Sequence, residues 1–577
     1  MSTTNFLVEF NQRYIGEARV LRPFRQVGPT QWIWLCCAIA LVIATMAPDQ
    51  AQANNARPYR GPVAWSIVLC TFSDSPAPPH DPAYYRDLIV NRGTSGLSDF
   101  LAAVSYGNSD LTPTVVKGWY TMPFTRAQEE ALGGGGSPTR TRKYQDCLDA
   151  AAHSAHDPYT PPPGQLVAVV TSPGIDLFGM IGIGSYLPDN VDMVGMSHEV
   201  GHGLGFSHSF SNNPVAANEE YDDPWDMMSA YNVFADPRPG ARFGNAGPGF
   251  NAHHVDEMGW LPRPRIFTAG ADGQLTNSLT LAALNHPEAP GFLIARVPFD
   301  PADLFHYYTV EFRKADGFDG GLPGSTVLIH ETKLDAAAGV YHTYLLRDNG
   351  APGRPPIQAL NDNGVTISIE SVNQAANQAH IKIVNQIVDR CLQGFVWREA
   401  SPSDHVCVTP ALRAQAAADN ALAAARRNPA GGPFGPDTCL QGFVWREAFP
   451  NDHVCVVPAT RTQAAADNQA AASRHNPARN VFGPNTCVVG FVWREADASD
   501  FVCVTGAERS TVAGENANPA LHRNPAGGPF GPDTCLTGFV WRDSFPGDHV
   551  CVVPPRRDQV RADNNQAHAR LMRPNDE

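Results

Sequence analysis

From Cys391 to the end of the chain, one 48-residue unit is written four times. It appears as CLQGFVWREASPSDHVCV at 391, CLQGFVWREAFPNDHVCV at 439, CVVGFVWREADASDFVCV at 487 and CLTGFVWRDSFPGDHVCV at 535. Each copy carries two cysteines sixteen residues apart. So short a unit buries little apolar surface, and an internal disulfide is its natural staple. The expected bridges are Cys391–Cys407, Cys439–Cys455, Cys487–Cys503 and Cys535–Cys551. Two short strands around a Pro/Asp turn are followed by an Ala-rich helix, as in ALRAQAAADNALAAARR (411–427), and by a linker such as NPAGGPFGPDT (428–438). The reading is four small α+β repeats, 391–438, 439–486, 487–534 and 535–577, strung as beads on Gly/Pro linkers. Phe395 and Trp397 lie two apart, hence on one strand face. We read them as the core of the module, packed on its disulfide; the alternative is an aromatic platform for cell-wall glycans.

Upstream lies a chain too long for one core; at 577 residues several domains are expected. Near the N-terminus Arg22 and Arg25 precede the apolar run WIWLCCAIALVIATMA (32–47), with AQA at 51–53. A basic region, an apolar segment and a small-x-small site form a secretory signal with a long basic region, 1–53, cut after Ala53. Retention as a cell-surface anchor is the alternative. Removing the signal takes Cys36 and Cys37 with it and leaves ten of the twelve cysteines, an even number that fits export and disulfide pairing. Of these, Cys70 in a core strand is expected to bridge Cys147. The net charge of −15 argues against nucleic acid, which demands clustered Lys and Arg.

Residues 60–262 alternate strand and helix patterns. AWSIVLCTFSD (64–74), TPTVVKGWYTM (112–122) and QLVAVVTS (165–172) read as strands, SGLSDFLAAVS (95–105) and TRKYQDCLDAAAHSA (141–155) as helices. That order predicts an α/β sheet domain. From 263 to 388 short β-rich runs such as YYTVEFR and GVTISIESV, separated by Gly, Pro, Asp and Asn, predict an antiparallel β-sandwich.

Within the first of these domains stands SHEVGHGLGFSHS (197–209). His198 and His202 are four apart, so a helix presents both on one face to one metal ion. Glu199 falls beside them, placed to move a proton without ligating. Gly205 permits the chain to leave the helix with positive φ and bring His208 round as a third ligand. Three imidazoles leave one tetrahedral position open, as a catalytic zinc requires.

This run resembles the HExxHxxGxxH signature of the metzincin zinc metalloproteases. YDDPWDMMSAYN (221–232) is similar to their methionine turn, with Met228, or alternatively Met227, as the apolar floor beneath the metal. Several metzincins place a tyrosine two residues after that methionine, at the zinc or the oxyanion; here Tyr231 stands three after. VSYGNSDLTPTVVKGWYTMP (104–123), NAHHVDEMGWLP (251–262) and YYTVEFRKADGFDGGLPGSTVLIHE (307–331) are similar to gametolysin-like and immune-inhibitor-A-like secreted peptidases, a resemblance that spans roughly 62–385. It implies a multidomain protein with an α/β metzincin-like catalytic domain (60–262), a β-sandwich accessory domain (263–388) and the repeats. The implied activity is secreted zinc endopeptidase action on protein or peptide substrates. His198, His202 and His208 would be ligands and Glu199 the base. Calcium is implied as a second cofactor, although the acidic loop DGFDGG (316–321) is too generic to place it. FGMIGIGSY (178–186) reads either as an edge strand that pairs with extended substrate or as a buried loop. His253 and His254 read as structural or surface residues. The competing function is a surface- or glycan-binding repeat protein whose protease domain is silent.

Overall fold

A computed structural model describes residues 60–572, apart from 134–136, 214–219, 238–241, 272–273, 301–302, 337–338, 352, 387–390, 393, 475–482 and 546. The expected signal at 1–53 lies outside the described residues, among which no helix is long and apolar enough to cross a membrane.

The fold begins with a five-stranded sheet. Its strands are β1 (Trp65–Thr71), β2 (Val115–Thr121), β3 (Leu166–Ser172), β4 (Phe178–Met180) and β5 (Gly184–Pro188), in the order β2-β1-β3-β5-β4. All are parallel except β4, the antiparallel edge. Every residue of β1 is buried, because helices cover both faces of a parallel sheet. Its side chains alternate accordingly. Ile67 and Leu69 pack with Phe100 of α1 (Leu97–Val104) and with Met196 and Val200 of α3 (Met193–Leu204). Val68 and Cys70 face Tyr144, Cys147 and Ala151 of α2 (Ser137–Ala152). The Cys70–Cys147 disulfide ties β1 to α2.

Two further sheets form a sandwich. Beyond the two-residue β6 (Phe210–Ser211) and helix α4 (Ala252–Glu257) come β7 (Ile266–Thr268), β8 (Thr276–Ala282), β9 (Ile294–Pro298), β10 (Tyr307–Arg313), β11 (Thr326–Asp335), β12 (Val340–Leu345), β13 (Ala359–Asp362), β14 (Val365–Asn373) and β15 (Gln378–Asn385). The sheet β6-β12-β11-β10-β9-β7 faces β8-β15-β14-β13, and Val310, Phe312 and Ile329 of the first meet Leu281, Ile367 and Ile381 of the second. The sandwich is not wholly antiparallel, as expected from its turns: β6 and β7 pair in parallel with β12 and β9. Both are short segments leaving the first domain, and each covers an edge that would otherwise expose unpaired backbone groups.

Buried charges join the sandwich to the first domain. Arg296 of β9 forms two bonds to Asp256 of α4, at 2.6 and 2.7 Å. Arg313 of β10 pairs with Asp319 and donates to the carbonyls of Trp225 (3.0 Å) and Phe250 (3.4 Å). Asp316 is in turn held by His286 and Lys314, so the acidic loop is occupied by side-chain partners.

In each repeat the disulfide closes a two-residue hairpin, Val396–Trp397 against Cys407–Val408 in the first, and all four bridges join cysteines sixteen apart. The helices α5 (Pro410–Ala421), α6 (Pro458–Arg474), α7 (Gly506–Ala517) and α8 (Pro554–Asn565) follow. Beads on a string is not what these units form. They associate in pairs, first with second and third with fourth. Arg398 bonds Asp404 of its own copy and reaches Ala448 O and Asn468 of the second, each at 3.0 Å. Arg446 bonds Asp452 and reaches back to Ala400 O and Ala416 O, each at 3.3 Å. Arg494 and Arg542 link the third and fourth copies in the same reciprocal way, through Asn564 and Ser544 O on one side and Asn516 and Glu515 on the other. All four arginines are at most 3% exposed. The aromatic core expected of each module is also absent. Phe395 and Trp397 are half-buried, Phe395 under Arg474 of the second copy and Trp397 stacked on His405, while Ala400, Ala416, Ala448 and Ala464 fill the shared interior. A 48-residue unit is too small for a core of its own, so two copies make one.

Removing one buried arginine strands its aspartate without a counter-charge, a loss of about 3–5 kcal/mol. Arg446→Gln is expected to lower amide protection at Val408 and Val456 together in native-state hydrogen exchange. Loss confined to the second repeat would mean that the copies fold separately.

Candidate metal centre

Helix α3 starts where Asp192 caps it, accepting the amide of Gly195 at 2.8 Å, and ends at Gly205, whose φ of 103° suits glycine. The last two turns of the helix carry His198, Glu199 and His202, all buried. Beyond Gly205 the chain reverses and brings His208 against them. The three imidazoles offer one nitrogen each within 4.8 Å of one another, the only such group of His, Cys, Asp or Glu donors among the described residues.

The glycines of this helix are set by what lies beside it. A Cβ on Gly201 would come within 2.6 Å of Met228 Sδ, and one on Gly203 within 2.3 Å of the Trp65 ring. Met228 therefore lies directly against the turn between the two helical histidines, and the neighbouring Met227 offers its carbonyl to His198. On the other side the edge strand β4 passes so close that a Cβ on Gly179 would meet His202 Cβ at 2.5 Å.

Each ring is oriented through its Nδ1. His198 Nδ1 lies 3.0 Å from Met227 O, His202 Nδ1 2.8 Å from Phe206 O, and His208 Nδ1 2.5 Å from a Glu220 carboxylate oxygen. Burial lowers the pKa of all three, to about 4 for His198 and well below the ordinary value for His202, where the neighbouring histidines add to the effect. The rings are therefore neutral at pH 7. With protons on Nδ1, the Nε2 atoms of His198 and His202 face each other at 3.2 Å as two lone pairs. That contact is repulsive unless a cation lies between them, and a cation held by three neutral imidazoles with anchored second nitrogens is a chemically ordinary arrangement. The donor set fits a metal ion.

Glu199 sits beside this group. Burial pushes its carboxyl up to about 7, against the pull of Arg140 and of a hydrogen bond from the Gly179 amide. Tyr221, to which the sequence pointed no role, has its hydroxyl 3.1 Å from His208 Nε2 and its ring 4.2 Å from the His208 ring. Burial first, then Glu220 and Glu199, raise its pKa to about 12, so it keeps its proton. Tyr231 belongs to the 3-10 turn Met227–Asn232, but its side chain lies outside the described residues. Nothing in residue spacing marks Tyr221 or Glu220, because the chain returns to His208 only through the tertiary path of the loop.

Beneath the site Asp226 is fully buried. It takes hydrogen bonds from Ser209, from the Asn251 amide group (2.9 Å) and backbone (3.2 Å), and lies 2.9 Å from His254 Nδ1. His254 is thus a structural partner of Asp226, which caps the 3-10 turn Met227–Asn232. His253 lies elsewhere, beside Tyr307 and Thr332. No protein-family model matches the chain, and no curated protein matches it either.

Two predictions follow the geometry. Glu220→Gln should weaken metal binding by about 10–100-fold, the usual cost of a lost orienting carboxylate, as read by chelator competition. The second concerns the pH dependence of the His254–Asp226 pair. Burial opposes the charge on His254, yet Asp226 outweighs it and the pKa is raised; burial also opposes the charge on Asp226, yet His254 and its hydrogen bonds hold it lowered. The His254 contribution is full below about pH 6.5 and fades as pH climbs through the raised pKa; the Asp226 contribution is full above about pH 4 and fades as pH falls through the lowered one. The Tm difference between the parent and His254→Gln should accordingly be largest between those limits and shrink on both sides.

Proposed function

We propose that the chain is a secreted zinc endopeptidase of the metzincin type. The observation that carries this reading is the convergence of His198, His202 and His208 beside Glu199, next to the edge strand β4. A zinc ion held by the three imidazoles would supply Lewis acidity toward a peptide carbonyl and a water molecule.

The protein groups supply the rest. Strand β4 is one edge of the first sheet, with Ile181 and Ile183 exposed just beyond it, and an extended substrate can add to it as a further strand. Gly179 on that strand donates to Glu199, so the edge that aligns the substrate also aims the base. Glu199 takes a proton from the attacking water and delivers it to the departing amine. Tyr221, protonated and beside His208, donates toward the carbonyl oxygen as it gains charge. Met228 contributes an apolar floor.

Glu199→Gln is expected to abolish hydrolysis of an unfolded protein while retaining about one zinc per chain by elemental analysis. Tyr221→Phe should lower kcat by about 10²–10³ with little change in KM, the range for a lost oxyanion donor. A folded parent that binds no zinc would sink the reading.

A further inference from the structure

The third repeat meets the body of the protein, together with Asn485 just before it and Phe545 of the fourth repeat, which lies under Arg60, and the way it does so assigns a recognition role to its siblings. Arg263, which follows the first domain, lies over the Trp493 ring at 5.3 Å and pairs with Glu495. Its Nε donates to Ala498 O at 3.0 Å and its backbone amide to the same oxygen at 3.2 Å. Glu495 accepts Arg509 of its own helix at the same time. Nearby, Asn485 donates to Asp256 O at 2.7 Å, and Arg60 pairs with Asp497 at 3.1 Å. A tryptophan face, a carboxylate and a turn carbonyl thus form a seat for one arginine side chain.

The 48-residue period places the same groups in the first repeat as Trp397, Glu399 and Pro402. There they line an open cleft of about 620 Å³, together with Ala400, Ser401 and Asn420. Glu399 is bound by Arg413, the counterpart of Arg509, at 2.5 Å, so the second position on the carboxylate, filled by Arg263 in the third repeat, faces the cleft. Trp397 is braced by His405, stacked at 4.1 Å, where the third repeat has Phe501. The cleft holds the chemistry for a guanidinium: a π face, an anion and a carbonyl acceptor.

We propose that the first repeat binds an arginine side chain presented by another protein, in the manner in which the third repeat binds Arg263. The inference is independent of the peptidase reading, since it rests on the repeats alone. It makes the array an adaptor: the seat of the third repeat is spent on the body of the chain, and that of the first is offered to a partner.

The test uses the full chain and a labelled peptide of residues 259–267, GWLPRPRIF, followed by fluorescence anisotropy. Saturable binding of one peptide is expected, weakened at least about tenfold when the peptide's fifth residue, the counterpart of Arg263, becomes alanine, and by the same factor in Glu399→Gln. Ser401→Asp, which adds a carboxylate to the lining of a cleft offered a peptide with two arginines, should tighten binding, a gain that misfolding does not mimic. Absence of saturable binding, binding indifferent to the peptide's arginine, or binding unchanged by both variants overturns the proposal. Self-association of the parent that Glu399→Gln abolishes in sedimentation velocity would overturn the foreign partner in favour of a second copy of the chain.

Discussion

Asp226 holds the candidate site together. Its carboxylate is fully buried and gathers Ser209, next to the third histidine, the Met228 amide of the 3-10 turn, Asn251 at the start of α4, and His254 within α4. A buried charge is tolerated only when partners surround it, so each of these segments is obliged to meet at one point. The order of events along the chain then matters little. His198 is aimed by the Met227 carbonyl, one residue from Asp226, and His208 is positioned one residue before Ser209. The three histidines that could hold a metal ion are fixed because the acid beneath them is satisfied.

The sandwich extends this framework. His330 of β11 pairs with Asp223 at 3.0 Å, and Arg313 of β10 takes the Trp225 carbonyl, so two strands grip the segment leading into the 3-10 turn Met227–Asn232. Just beyond His208, β6 is stitched to β12. The second sheet system is therefore part of the scaffold of the site, and buried ion pairs of this kind make separation of the two domains costly, since parting them would leave charges uncompensated.

The repeats apply the same physics at smaller scale. Each is too small for an apolar core, and each buries an arginine whose aspartate lies in its own turn while its remaining donors are satisfied only by the neighbouring copy. Reciprocity follows from the repetition: what the first copy lacks, the second supplies, and the reverse. The third copy departs from the common pattern at Asp497, Ala498 and Phe501, and the first two of these residues meet Arg60 and Arg263.

Much of this was legible in the residues. The strands of the first sheet, the cysteine pairs and the histidine spacing are local or periodic signals, carried by side-chain alternation, by fixed intervals and by helix geometry, which need no knowledge of distant chain. The expectation of independent beads failed because a period shows that units are alike without showing whether each closes on itself, and buried Arg–Asp pairs look like surface charges in a sequence. The aromatic core of the repeats failed for the same reason. The helix glycines 201 and 203 became intelligible only beside Met228 and Trp65. Sequence alone determined which residues stand ready to bind a metal and which cysteines lie at bridging intervals. Tertiary structure decided that Tyr221 and Glu220 close on His208, that Asp226 gathers the site, and that repeats work in pairs, because desolvated charges and hydroxyls select partners by proximity in space, whatever their separation along the chain.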